Sequence, residues 1–236
     1  MPKQKRPLAL FNGRLTPAKI ADGMNAAERN AKRLAQDARL LLDAHRYATA
    51  TAVAILAIEE AGKSAVLRGM SVAKTDDEVK KAWKDFRSHT RKNVLWILSD
   101  MVQRGARKLD DFGPMFNPES DHPYVLDQIK QLGFYVDCVG KGKWAEPCNV
   151  INDALAKSFV ETAELFASEK SVTHAHMELW VKHMGPVQGG SLAWMKKAFE
   201  NYYAELQERG LEAAGDNLAS QLIEGTIGPK SPKGAT

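Results

Sequence analysis

Residues 47–69 read YATATAVAILAIEEAGKSAVLRG, and this stretch decides the fold. At about 100° per residue on a helical wheel, Ala50, Ala54, Ala57, Ala61 and Ala65 cover one broad side. Ile55, Leu56, Val66 and Leu67 cover much of the other. A helix that is apolar nearly all round is a buried one, so this segment belongs at the centre of a helical bundle, with Gly69 closing it. The narrow polar gap on the wheel is assigned to Glu59 and Lys63, an (i, i+4) pair in the favourable orientation. Glu60 falls instead between Val53, Leu56 and Leu67, where a carboxylate must be paired or neutral. It reads either as half of a buried salt bridge holding two helices in register or as a general acid/base or the orienter of a catalytic His or Arg.

Outward from this axis the pattern stays helical. Thr16 and Pro17 form an N-cap and first-turn signal for a helix reaching about Ala44. Its packing arc is Ala27, Ala31, Leu34, Ala38 and Leu41, edged by Asn30, Arg33 and Asp37. Thr75 and Glu78 have capping-box spacing, and the arc Val79, Ala82, Trp83, Phe86, Val94, Ile97 and Met101 carries a third helix to about Gln103. Residues 105–123 read as a long loop. A short helix over Tyr124–Leu132 and an extended segment over Phe134–Asp137 follow. A long helix is expected from Glu146 and Pro147 to about Ser168, then helices near Val172–His183, Ser191–Arg209 and Leu211–Glu224. The fold class is therefore all-α, with one domain over residues 16–225, a flexible basic arm over 1–15 and a disordered tail over 226–236.

Composition agrees with one globular unit. The 236 residues are 44% hydrophobic and 26% charged, ordinary for a self-sufficient fold. Lys and Arg outnumber Asp and Glu by 33 to 29, which permits a polyanionic partner without requiring one. Basic residues gather at Lys80, Lys81, Lys84, Arg87, Arg91 and Lys92 and again at Arg104, Arg107 and Lys108, as solvated helix surface or as an RNA-facing stripe. Two cysteines, Cys138 and Cys148, and an N-terminus without the apolar run of a signal peptide point to a reducing cytoplasm. No run approaches the ~18 apolar residues of a spanning helix, so no membrane association is expected.

His89 lies on the margin of the third helix's core arc, between Asn93 and Trp96, with Lys92 one step further round. A half-buried histidine is commonly a hydrogen-bonded core residue. Arg87, His89, Lys92 and Asn93 within two turns also carry a functional reading, because phosphodiester cleavage wants a proton-transfer group beside cationic phosphate clamps. Arg39 and His45 have an arginine-to-histidine spacing of the kind used by metal-independent helical ribonucleases, but the two side chains project about 120° apart on a continuous helix. His174 and His176 point to opposite sides of a helix and cannot grip one metal together. No Cys/His zinc spacing exists. Ala61, Gly62, Lys63 and Ser64 spell only the tail of a phosphate loop, inside a helix. No metal and no cofactor are expected.

Four stretches, 30–38 (NAKRLAQDA), 57–63 (AIEEAGK), 86–92 (FRSHTRK) and 132–147 (LGFYVDCVGKGKWAEP), together resemble the AbiV-type abortive infection proteins, a branch of the HEPN helical superfamily. The resemblance covers roughly residues 25–170. It implies a HEPN-like helical bundle with additional C-terminal helices, a homodimer acting in bacterial defence by arresting growth or translation when phage is sensed, and a phage-encoded protein as activator. HEPN relatives commonly cleave RNA without metal, through an arginine and a histidine four to six residues apart near a dimer interface, so the implied substrate is cellular RNA such as tRNA or rRNA. Mapped onto this chain, Glu60, Arg87, His89 and Lys92 are the catalytic candidates, with Lys63, Asn93, Tyr135 and Asp137 as substrate-binding candidates. On that mapping His89 moves the proton, Arg87 and Lys92 stabilise the phosphorane and Glu60 orients His89. The competing class is a non-enzymatic helical sensor that binds a phage protein or a ribosomal component and acts by occupancy.

Overall fold

A computed structural model describes residues 9–89, 97, 101, 106, 111, 121–167 and 171–213. The Thr16 hydroxyl accepts the Lys19 N–H and opens α1 (Pro17–Asp43), whose first position is pre-set by the proline ring. A short turn leads to α2 (Tyr47–Ser71), and α3 (Asp76–Arg87) starts at a complete Thr75/Glu78 capping box. Then come α4 (His122–Phe134), strands β1 (Asp137–Val139) and β2 (Lys143–Ala145), α5 (Pro147–Val150), α6 (Asp153–Phe166), α7 (His174–Met184) and α8 (Leu192–Glu208). The strands form one antiparallel hairpin with Cys138 opposite Trp144. Apart from that hairpin the described chain is an all-α bundle.

Helix α2 is the axis, packed against α1, α3, α4, α5, α6 and α7. Ala31, Ala35 and Ala38 of α1 and Ala50, Ala54 and Ala57 of α2 share one core with Ile55, Ile58, Leu126, Phe159 and Val160. Alanine on both sides lets the two backbones approach closely, while each fully buried Ile, Leu or Phe contributes about 1.5–3 kcal/mol. A second core lies toward the other end of α2, with Ile20, Met24, Leu67, Met70, Val79, Trp83 and Met177. A third, built on Leu179, Tyr202 and Leu206, joins α7 to α8.

Two expectations are corrected. The third helix ends at Arg87, where Ser88 turns extended (φ −79°, ψ 135°), rather than continuing toward Gln103. The helix expected from residue 146 to 168 is two helices: Ile151 is extended and the Asn152 side chain accepts the Leu155 N–H at 2.9 Å, capping a new start. Residues 11–14 of the N-terminal segment contact the bundle. Trp83 Nε1 donates to Gly13 O at 2.9 Å, Arg14 donates to Ala73 O at 2.6 Å, and the Phe11 ring meets Trp83 edge-on. The continuation of the third helix past residue 89, the stretch 214–224 expected to be helical and the tail 226–236 lie outside the described residues.

Two stability predictions follow from this packing. A Cβ at Gly133 would meet Ala48 O at 2.8 Å and Ala52 Cβ at 3.0 Å, so Gly133→Val forces α4 away from α2 and is expected to cost about 1–3 kcal/mol in urea denaturation. Glu205 accepts from Lys182 at 2.6 Å, His183 at 2.6 Å and Arg209 at 2.5 Å. The hydrogen bonds from Lys182 and His183 hold its carboxyl at about 2, against an ordinary 4.5. A lowered folded-state value means stabilisation that is complete above the unfolded value and lost as pH falls through the folded one. Melting temperature should therefore fall between pH 4.5 and 2, and Glu205→Gln should flatten that limb.

Candidate functional site

The buried carboxylate of α2 is Glu59, at 2% exposure, and Glu60 lies half-buried at the helix edge. This reverses the wheel assignment. A helix buried on almost every side has no broad polar face to fix its phase, and the two carboxylates are only one residue apart. Glu59 continues a face formed by Ala52, Ile55 and Gly62, all buried.

Glu59 is held on both oxygens. Its Oε1 accepts from Lys130 Nζ at 2.6 Å, and its Oε2 lies 2.7 Å from His89 Nδ1. Lys130 also sits 2.7 Å from Asp127 Oδ1, an oxygen shielded from solvent with no other partner among the described residues. The Lys130 side chain is 5% exposed. Burial opposes its charge, but Asp127 and Glu59 outweigh burial and hold the ammonium above the ordinary lysine range. Neither Asp127 nor Lys130 was recognised from the sequence. Their one signal is that Lys130 shares a helical face with Leu126 and Gly133, which are both buried.

His89 stands two residues past the end of α3, with its side chain 60% exposed. With a carboxylate on Nδ1, the neutral ring is held as the Nδ1–H tautomer, which leaves the Nε2 lone pair for other chemistry. Ligand atoms of Glu59, His89 and Asp127 lie within 4.8 Å of one another, a spacing that can hold a metal ion. The Lys130 ammonium already contacts both carboxylates, so any metal there must compete with a resident cation.

The remaining candidates are dispersed. Glu60 accepts from Asn30 at 2.9 Å and pairs with Lys63 at 2.5 Å, and Lys63 lies over the Phe86 ring. Glu60 therefore does not orient His89; Glu59 does. Arg87 turns away from His89, donating to Asn12 Oδ1 at 2.6 Å and Phe11 O at 2.5 Å and stacking on Trp83. Tyr135 is exposed beyond α4, and Asp137 accepts the Cys138 N–H at 2.7 Å. Lys92 and Asn93 lie outside the described residues. Arg39 and His45 do not meet: Arg39 makes a paired contact to Glu164 at 2.8 and 2.6 Å, and His45 bonds the Tyr47 hydroxyl at 2.8 Å.

The carboxylate and the histidine sit in an α-helical bundle, and the family match puts that bundle among HEPN-type proteins. The profile of the AbiV family of that group matches residues 19–168, and the chain belongs to this family, which associates it with abortive infection. The matched span contains Glu59, His89, Asp127 and Lys130 and stops short of α7 and α8. No curated protein and no solved structure gave a significant match to the chain. Among the described residues no helix is long and apolar enough to cross a membrane.

Removing Glu59 strands a buried ammonium, whereas removing Glu60 frees a partly solvated pair. Glu59→Ala is expected to cost about 3–5 kcal/mol in denaturant unfolding. Glu60→Ala should cost about 1 kcal/mol or less. Equal losses, or the reverse order, would contradict the assignment.

Proposed function

We propose that this protein is an abortive-infection effector that cleaves cellular RNA, such as tRNA or rRNA, without a metal ion, and so arrests growth or translation in a phage-infected cell. The observation that carries the reading is the Glu59–His89 pair: a buried, doubly held carboxylate fixes a histidine whose other ring nitrogen stays available. Nε2 takes the proton of a ribose 2′-hydroxyl as that oxygen attacks phosphorus. The 5′ oxygen departs with a proton from water, leaving a 2′,3′-cyclic phosphate and a 5′-hydroxyl. Proton transfer of this kind contributes about 10²–10⁴-fold. Lys92 and Asn93, just beyond His89, are the phosphate contacts in this scheme, since Arg87 is engaged with Phe11 and Asn12. Lys130 supplies the positive charge opposite the buried Glu59 side chain. The active form is a homodimer, as the family resemblance implies, and a phage-encoded protein releases its activity.

One observation favours the non-enzymatic alternative, in which the protein acts by binding a phage protein or a ribosomal component. Arg87 is withdrawn into the N-terminal arm, and Lys130 is consumed by two carboxylates, so the polar cluster also works as a tie between α2 and α4.

Because the His89 ring is largely exposed, His89→Gln should fold with a melting temperature within a few degrees of the parent. It should lose RNA cleavage by at least about 10²-fold and lose growth arrest under phage challenge. The assay is purified protein with total RNA and ribosomes, with and without a chelator; cleavage is expected in both arms. If a His89→Gln, Lys92→Ala double variant stays folded and still arrests growth, the nuclease reading is wrong and the occupancy reading takes its place.

A further inference from the structure

Glu59 lies eleven residues along α2 from Ala48, roughly 16 Å at helical rise. At the Ala48 end the chain forms an open cleft of about 400 Å³, within the size range of small-ligand sites. The turn between α1 and α2 supplies His45, Arg46 and Tyr47; Phe134, Val136 and Glu146 come from the root of the hairpin. Its lining is mixed, with His45, Arg46, Thr49 and Glu146 beside Tyr47, Phe134, Val136 and Ile151. The Arg46 side chain is exposed and has no hydrogen bond or ion pair among the described residues. His45 is the one non-glycine residue with positive φ among them (58°), its ring anchored on the Tyr47 hydroxyl. Helix α2 begins here with no side-chain cap and no acidic residue in its first turn, so its positive end is not neutralised by its own sequence.

Beside the cavity stands the hairpin. Trp144 is 73% exposed and Tyr135 63%; Lys141, between Gly140 and Gly142 of positive φ, and Lys143, the first residue of β2, are also exposed. Exposed aromatic rings interleaved with unpaired cations are what a single nucleic-acid strand recognises: rings stack bases and cations meet phosphates. Phe134 and Val136 are also exposed here, but Arg46 and Glu146 share the cleft with them, so the surface lacks the charge-depleted centre of a protein-docking patch.

We propose that this cavity and hairpin bind a nucleotide unit of single-stranded RNA, separately from the Glu59–His89 pair. One base enters between Tyr47 and Phe134, with Glu146 accepting a hydrogen bond from its N–H edge. Arg46 meets the adjoining phosphate, and the next base stacks on Trp144. The choice of an RNA strand rests on the function proposed above; the nucleotide chemistry rests on the cavity alone.

The test is fluorescence anisotropy with the full chain and a labelled single-stranded oligoribonucleotide of twelve residues, with adenosine and guanosine monophosphates as competitors. Arg46→Ala and Trp144→Ala should each weaken oligonucleotide binding on the order of tenfold, with unchanged helical signal and melting temperature. Trp144→Phe should restore most of the loss. Parental affinity in both Arg46→Ala and Trp144→Ala overturns the site. Mononucleotides binding as tightly as the oligomer overturn the RNA strand as its ligand, and an oligomer that binds neither parent nor variants overturns the proposal outright. If the parent fails to cleave RNA but loses binding in Arg46→Ala and Trp144→Ala, the nuclease reading fails and this site stands.

Discussion

A carboxylate on the buried side of a central helix must find its counter-charge inside the protein, and here that requirement is met by the ion pair of Glu59 with Lys130. Removing both charges from water is expensive, and their attraction offsets the loss only when geometry is good and the remaining lone pairs are satisfied. Glu59 meets this condition by using its second oxygen on His89, and Lys130 by touching Asp127. The register of α4 on α2 is thereby set by chemistry as well as by shape. One helical turn further along α4, Gly133 lets the two backbones close to contact at Ala48 and Ala52. The same pair then leads outward, because a carboxylate that cannot move is what fixes the orientation of a histidine that faces solvent.

The architecture was legible because it depends on short-range pattern. The apolar circumference of residues 47–69, the Thr16–Pro17 start and the Thr75–Glu78 capping box all act within a few residues, and each recurs in the folded chain. The breaks were harder to read. Asn152 is a good N-cap, but the apolar spacing on either side of it runs on, and periodicity alone does not separate one long helix from two short ones. At Ser88, where the chain turns extended, nothing in the local sequence marks the end of α3.

The site was legible in composition and not in pairing. His89 and the two adjacent glutamates were visible as titratable groups near an apolar surface, but the choice between Glu59 and Glu60 depends on which side of α2 receives α4, a contact 71 residues away along the chain. Lys130 was invisible for the same reason. Lysine is almost never fully buried unless paired, and its partners sit on another helix or one turn away on its own. Arg87 was placed in the site because it is near His89 in sequence, yet its guanidinium is captured by carbonyl and amide groups of the arm 75 and 76 residues earlier. Helical wheels place side chains around an axis; they do not say what arrives from elsewhere.

The alanine seam between α1 and α2 has a consequence in time as well as in space. Alanine loses no side-chain rotamer freedom on burial, and the two helices are joined by a turn of three residues, Ala44 to Arg46. Their contacts are close in sequence, so closing the loop between them takes little chain entropy. Local contacts of this kind form ahead of those with high sequence separation. The α1–α2 hairpin is accordingly the piece of the chain best suited to assemble first, during synthesis, before residues 122–166 have left the ribosome. It would present Glu59 as an exposed, solvated carboxylate until α4 arrives with Lys130 to enclose it.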